Sequence, residues 1–143
     1  MDVVVPINYV AVFAAAVASI VLGYLWFGPL FGKHWMKLTG MSKPTMDAAA
    51  KQKMMKSYIL MSLGSLVMAY VLAHSLVFAS TYTKTMGVSA GLMVGFWSWL
   101  GFVAPVKMGD QLWGNKPWML FAVEAGYYLV SLCLMGVILA LMV

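Results

Sequence analysis

The chain has 143 residues, 64% of them hydrophobic and only 9% charged, against roughly 45–50% and about 25% in ordinary soluble domains. A water-soluble core of this size cannot absorb that excess, and bilayer lipid can. The net charge of +5 comes from nine lysines and no arginine; without arginine, bidentate phosphate or base reading is disfavoured, and nucleic acid is excluded as the expected partner.

Four apolar runs follow one another, near Ile7 to Leu30, Ser57 to Ser80, Met86 to Val106 and Pro117 to Leu141. Each approaches or exceeds the ~20 residues that a helix rising ~1.5 Å per residue needs to cross ~30 Å of hydrocarbon. The runs are continuous rather than alternating, which argues against barrel strands. The fold expected is all-α: a single polytopic domain of four transmembrane helices. The N-terminal segment carries Asp2 and no basic stretch, so the first run reads as a retained membrane helix rather than a cleavable signal.

Orientation follows from the lysines. Lys33, Lys37, Lys43, Lys51, Lys53 and Lys56 fall in the first connection, Lys84 in the second, Lys107 and Lys116 in the third. Connections one and three are expected on the cytoplasmic side of the cell membrane, and both termini outside. Trp35, Trp113 and Trp118 then sit near the inner boundary and Tyr82 near the outer one, as interfacial aromatics do.

The first helix carries Ala11, Ala15, Ser19 and Gly23 four residues apart on one face, with Asn8 near its outer end. Small residues at that spacing let helix backbones approach closely. Ser65, Ala69 and Ala73, and Gly91 with Gly95, continue the pattern in the second and third helices, so a tightly packed bundle is expected, with seams that can extend between protomers. At Gly28-Pro29 the first helix is expected to break, and Gly32 to turn the chain onto the interface at Lys33, His34 and Trp35. Ser42 or Thr45 can cap the next helix, with Pro44 in its first turn and Asp47 complementing its dipole. That helix is expected to run from about residue 45 to 80, its first turns standing out of the membrane as a lysine-bearing extension.

The segments INYVAVFAAAVASIVLGYLWFGPLFGKHWMKLTG, GLMVGFWSWLGFV and AGYYLVSLCLMGVILA resemble the small membrane proteins of the domain-of-unknown-function 1761 family. The likeness covers nearly the whole chain, and Phe27 to Trp35, FGPLFGKHW, is its most specific part. It implies a four-helix integral membrane protein and brings no assigned activity, substrate or catalytic residue. The chain also resembles itself: GYLWFGP in helix one is similar to GFWSWLGF in helix three, and SLGSLVMAYVLA in helix two to SLCLMGVILA in helix four. Two hairpins of like orientation would form a parallel repeat.

Glu124 is the one acid inside an apolar run, and an intramembrane carboxylate is costly enough to mark a functional site by default. A straight helix from Pro117 places it ~10 Å into the span, in the inner leaflet. Tyr127, Tyr128 and Ser131 share its face, and together the four form a polar stripe that could line a proton or ion path. Alternatively, Glu124 is neutral, or is satisfied by Ser98 or Trp99 on helix three, or by Lys107 reaching inward. His74, towards the outer end of helix two, is a further candidate for the path. His34 lies at the opposite boundary, so the two histidines cannot share a metal.

No metal-binding spacing occurs. The fourteen methionines read as flexible apolar filler rather than copper ligands, and Cys133 as a small hydrophobe. No nucleophile elbow, phosphate loop or carboxylate pair is present, so neither cofactor nor enzymatic activity is expected. The third connection, KMGDQLWGNKP, reads as a turn anchored by Trp113, in which Lys107, Asp110 and Lys116 meet solvent or anionic headgroups.

Two function classes remain. One is a structural or accessory subunit of a larger membrane assembly, held by lipid and partner contacts. The other is a homo-oligomeric channel or transporter for a small solute, ion or proton, with Glu124 on the path; four helices rarely enclose a pathway alone, so this class calls for a symmetric homo-oligomer.

Overall fold

The computed structural model describes residues 4–40 and 48–143. Among them are helices α1 (Tyr9–Leu25), α2 (Gly32–Thr39), α3 (Ala48–Thr83), α4 (Gly87–Ser98), α5 (Ala104–Gly114) and α6 (Trp118–Leu141). Two π-helical turns, Trp26–Leu30 and Trp99–Val103, extend α1 and join α4 to α5. Four continuous segments are long and apolar enough to cross a membrane: Tyr9–Leu30, Ala48–Thr83, Gly87–Gly114 and Trp118–Leu141. The capping residues expected at Ser42, Pro44, Thr45 and Asp47 lie outside the described residues.

Asn8 caps α1, its side-chain oxygen accepting from the backbone N–H groups of Val10 and Ala11 at 3.1 and 3.2 Å. Its amide nitrogen donates to the carbonyl of Met142 at 2.6 Å, which ties the start of the first span to the end of the last. The small-residue ladders are spent inside the bundle. Ala11, Ala15 and Ser19 of α1 and Ser65, Ala69 and Ala73 of α3 are buried. Gly91 and Gly95 bring α4 and α6 into backbone contact: a methyl group on Gly95 would lie 2.6 Å from the carbonyl oxygen of Leu132, and one on Gly91 would overlap the carbonyl of Gly136. In lipid such close approach replaces the missing hydrophobic drive with dispersion contact.

The expected break at Gly28-Pro29 is instead a widened turn. Pro29 has no N–H and its ring crowds the preceding carbonyls, and the helix adapts by shifting to i→i+5 bonding, with Phe31 N–H donating to the Trp26 carbonyl at 2.8 Å. Phe31 then turns the chain into α2, where Gly32 is buried with no room for a side chain, a methyl there falling 2.6 Å from the carbonyl of Phe27. Gly40, at φ 72°, closes α2 in the left-handed conformation that glycine adopts without steric cost.

The third span also departs from expectation. The polarity of the segment from Lys107 suggests a turn, but α5 carries the helix to Gly114, and only Asn115–Pro117 connect it to α6. Pro105 is accommodated in the first turn of α5, where its missing N–H leaves nothing unpaired. The preceding π turn, in which Ala104 N–H donates to the Trp99 carbonyl, absorbs the register change. Asn115, at φ 51°, makes the reversal.

Helix α3 has 36 residues, ~54 Å at ~1.5 Å each. All its buried residues lie from Ser65 to Leu76, and Tyr58 to Met61 are exposed. Residues 48–64 therefore have no buried face, and a gap opens there between α1 and α3.

Candidate functional site

The gap is floored by α6. A cavity of about 580 Å³ lies between Ile20, Gly23, Tyr24, Phe27 and Gly28 of the first span, Tyr58, Met61, Ser62 and Ser65 of α3, and Glu124, Tyr127 and Tyr128 of α6, with Trp35 and Lys107 completing its wall. It occupies the half of the bundle nearer α2.

Two tryptophans hold the α6 backbone on either side of Glu124. Trp26 donates its indole N–H to the carbonyl of Val123 at 2.9 Å, and Trp99 donates to the carbonyl of Ala125 at 2.8 Å. Each is the first residue of a π turn, and each begins a Trp-x-Gly segment, so the internal likeness seen in the sequence has a structural counterpart. π turns commonly accompany functional sites; here they aim both indoles at one helix.

The Glu124 carboxylate is held at both oxygens. Oε2 accepts from Lys107 Nζ at 3.0 Å and Oε1 from the indole N–H of Trp35 at 3.2 Å. Lys107 also reaches Asp110 Oδ2 at 3.4 Å. The three charged groups thus form a chain, Glu124–Lys107–Asp110, whose formal sum is −1. Side-chain exposure rises along it, from 19% at Glu124 to 26% at Lys107 and 46% at Asp110. An ion pair in this setting is held by charge-assisted hydrogen bonds, roughly twice as strong as neutral ones.

Beyond the carboxylate the wall is aromatic. The Phe27 ring packs at 5.6 Å from Trp35 and 5.2 Å from Tyr127, and Tyr127 lies 5.0 Å from Tyr128. The Tyr127 hydroxyl donates to the carbonyl of Ser19 at 3.0 Å, and the Ser19 and Ser131 hydroxyls share a 2.8 Å hydrogen bond. Ser19 and Ser131 are buried, and with Ala15 and Met135 they seal the bundle at this level.

A family model described as "Protein of unknown function (DUF1761)" matches residues 10–140. The chain belongs to this family. Among curated proteins and among solved structures, nothing matches.

In this DUF1761 chain the expected polar stripe divides in two. Glu124, Tyr127 and Tyr128 line the cavity, whereas Ser131 sits in the sealed seam with Ser19. Gly23 belongs to the cavity wall, beneath the Tyr127 ring. His74 does not join the stripe: its Nδ1 lies 2.9 Å from the Tyr70 carbonyl one turn earlier on α3, its ring between those of Tyr70 and Phe78. Of the candidate partners for Glu124, Lys107 is the one that reaches it; the Trp99 indole is committed to Ala125. Lys107, expected at the interface, pairs with Glu124 and Asp110, and Trp35, also expected there, directs its indole N–H onto the carboxylate from α2. Lys33, His34, Lys116 and Trp113 are exposed. Among the described residues no group of three His, Cys, Asp or Glu gathers to hold a metal.

Tyr58 and Ser62 of α3 carry no role in the sequence reading, and Ser65, expected in the packing ladder, joins them in the cavity wall. Their spacing of four and three places them on one helix face, and two hydroxyls and a phenol on one face of an apolar run was the available signal.

Proposed function

We propose that this DUF1761 protein is a membrane-embedded binding protein for a small amphipathic solute, closer to the transport class than to a purely structural subunit. The observation carrying this reading is the cavity of about 580 Å³ with the Lys107–Glu124 pair in its wall. Small-molecule sites occupy ~300–1,000 Å³ and combine apolar, aromatic walls with a few convergent polar groups. A subunit serving only as packing has no use for a charge pair facing its own cavity, since well-packed apolar residues in place of a buried ion pair are often as stable or more so.

The role assigned is binding, with the Lys107–Glu124 pair and the aromatic wall as the recognising groups. The seam of Ser19, Tyr127 and Ser131 closes the cavity towards the Asn8–Met142 end. Passage across the membrane therefore requires that seam to part or a second copy to complete the route, whereas binding requires neither. By the lysine distribution the cavity lies in the cytoplasmic half of the cell membrane.

Native mass spectrometry of the full chain released from mild detergent tests the reading. One amphipathic molecule per protomer is expected, with occupancy falling in Ser62→Phe, which fills the cavity from α3. A wild-type mass equal to the bare chain, unchanged in the variant, refutes it. Recovery only within a large complex of other proteins favours the accessory role.

A further inference from the structure

Taking the cavity to be a solute site, we propose that its ligand is a lipophilic organic cation, which displaces Lys107 from Glu124 and is held between that carboxylate and the aromatic wall. The proposal rests on the reading of the preceding subsection and adds the sign of the charge.

Three observations carry it. First, among the described residues Glu124 is the sole carboxylate lining the cavity, and it faces the cavity alongside six aromatic rings, those of Tyr24, Phe27, Trp35, Tyr58, Tyr127 and Tyr128. Aromatic faces carry negative electrostatic potential and attract cations, most strongly where water is scarce. The same faces repel an anion, and an anion bound to Lys107 would also sit against Glu124.

Second, Lys107 has somewhere to go. Its Nζ already lies 3.4 Å from Asp110. When an incoming cation takes its place on Glu124 Oε2, the lysine remains paired, and the group of ligand, Glu124, Lys107 and Asp110 is neutral overall. An anionic ligand would instead bring the group to −2. Binding is an exchange of partners at the carboxylate, with no covalent or redox step.

Third, the carboxylate is fixed in place for that exchange. Trp35 holds Oε1, and Trp26 and Trp99 hold the backbone at Val123 and Ala125. Losing Lys107 from Oε2 therefore leaves Glu124 oriented, a preorganisation that reduces the cost of binding.

The test uses the full-length protein in lipid nanodiscs and two probes matched in shape and opposite in charge, radiolabelled tetraphenylphosphonium and tetraphenylborate, followed by equilibrium dialysis against empty nanodiscs. Saturable phosphonium binding is expected, about tenfold or more tighter than borate. Glu124→Gln weakens phosphonium about tenfold, the scale of one ion-pair contact in a partly screened site. Lys107→Met acts in the opposite direction and tightens phosphonium binding several-fold, because the internal competitor is gone. A purely structural ion pair would make both variants weaken binding, so the opposed signs distinguish the two roles even if each variant is somewhat destabilised. Asp110→Asn weakens binding by a few-fold.

Equal or tighter borate binding, or weakening in Lys107→Met, overturns the cationic assignment. If borate or a co-purified neutral amphiphile binds saturably and is lost in Ser62→Phe, the cavity reading stands and only the charge class falls. If neither probe binds saturably and no molecule co-purifies, both readings fall.

Discussion

Trp26 and Trp99, 73 positions apart in the chain, grip carbonyls only two residues apart on α6, those of Val123 and Ala125, with Glu124 between them. Each indole issues from a π turn whose first carbonyl, that of the tryptophan itself, accepts an N–H five residues on. The arrangement explains how one charged residue in an apolar helix keeps a fixed rotation: α6 cannot turn about its axis without breaking both bonds.

Replacing either indole donor by a ring without one isolates this effect. Trp26→Phe and Trp99→Phe are each expected to lower stability by about 1 kcal/mol, the net worth of a typical internal hydrogen bond, plus the loss of ring volume. The two are expected to add, as they act on separate carbonyls. Thermal unfolding in detergent followed by intrinsic fluorescence checks both values; a double variant no worse than either single one would refute independent clamping.

The α4–α6 contact makes a sharper demand. A methyl on Gly95 would lie 2.6 Å from the Leu132 carbonyl and 2.7 Å from Cys133 Cα, both backbone atoms that cannot move aside. Gly95→Ala and Gly91→Ala are expected to cost about 1–3 kcal/mol or more through overpacking. Gly64, exposed on α3 with nothing within 4 Å of its absent Cβ, serves as the control: Gly64→Ala is expected to stabilise by about 0.5–1 kcal/mol, since alanine loses less entropy in a helix. Equal losses at all three positions would contradict this packing.

Hydropathy made the four spans legible, because long apolar runs report lipid contact directly. The ladder at Ala11, Ala15 and Ser19 was legible too, since four-residue spacing of small side chains has one main use in lipid. What hydropathy conceals is which way a boundary residue points. Trp35 at a span end has the same sequence environment whether it meets headgroups or a carboxylate, and only the return of α2, made by Phe31 and the crowded Gly32, decides. Lys107 looked like a loop lysine because the segment from Lys107 to Pro117 has the polarity of a turn. The absorption of Pro105 by a π turn kept it helical and carried Lys107 onto Glu124. Neither π turn has a hydropathy signal, although both begin at a Trp-x-Gly segment.

The seam that seals the cavity rests on three hydroxyls. Tyr127→Phe removes the donor to the Ser19 carbonyl and is expected to cost about 1 kcal/mol. Ser131→Ala leaves Ser19 with a second contact, the Tyr127 hydroxyl at 3.4 Å, whereas Ser19→Ala removes the partner of a fully buried Ser131 hydroxyl. The larger loss is therefore expected in Ser19→Ala, about 1–3 kcal/mol for a buried hydroxyl left without its partner. The order of the two serine variants in thermal unfolding is the check, and a larger loss in Ser131→Ala would show that the hydroxyl finds another acceptor.

The Lys107–Glu124 pair is best judged by a double-mutant cycle. Breaking a fully buried pair costs ~3–5 kcal/mol, because a charge is left unpaired, while replacing both members is often close to neutral. Here Lys107 and Glu124 are partly exposed, so Lys107→Met and Glu124→Gln are each expected to cost less, about 1–3 kcal/mol, with the double variant recovering most of it. Lys107→Met keeps its second prospect of rescue, since a cation in the cavity can take the vacated place. Tetraphenylphosphonium is therefore expected to raise the melting temperature of Lys107→Met more than that of the wild type, and to leave the double variant almost unmoved. Equal shifts in all three would mean that the probe binds away from the carboxylate, on the lipid-facing surface.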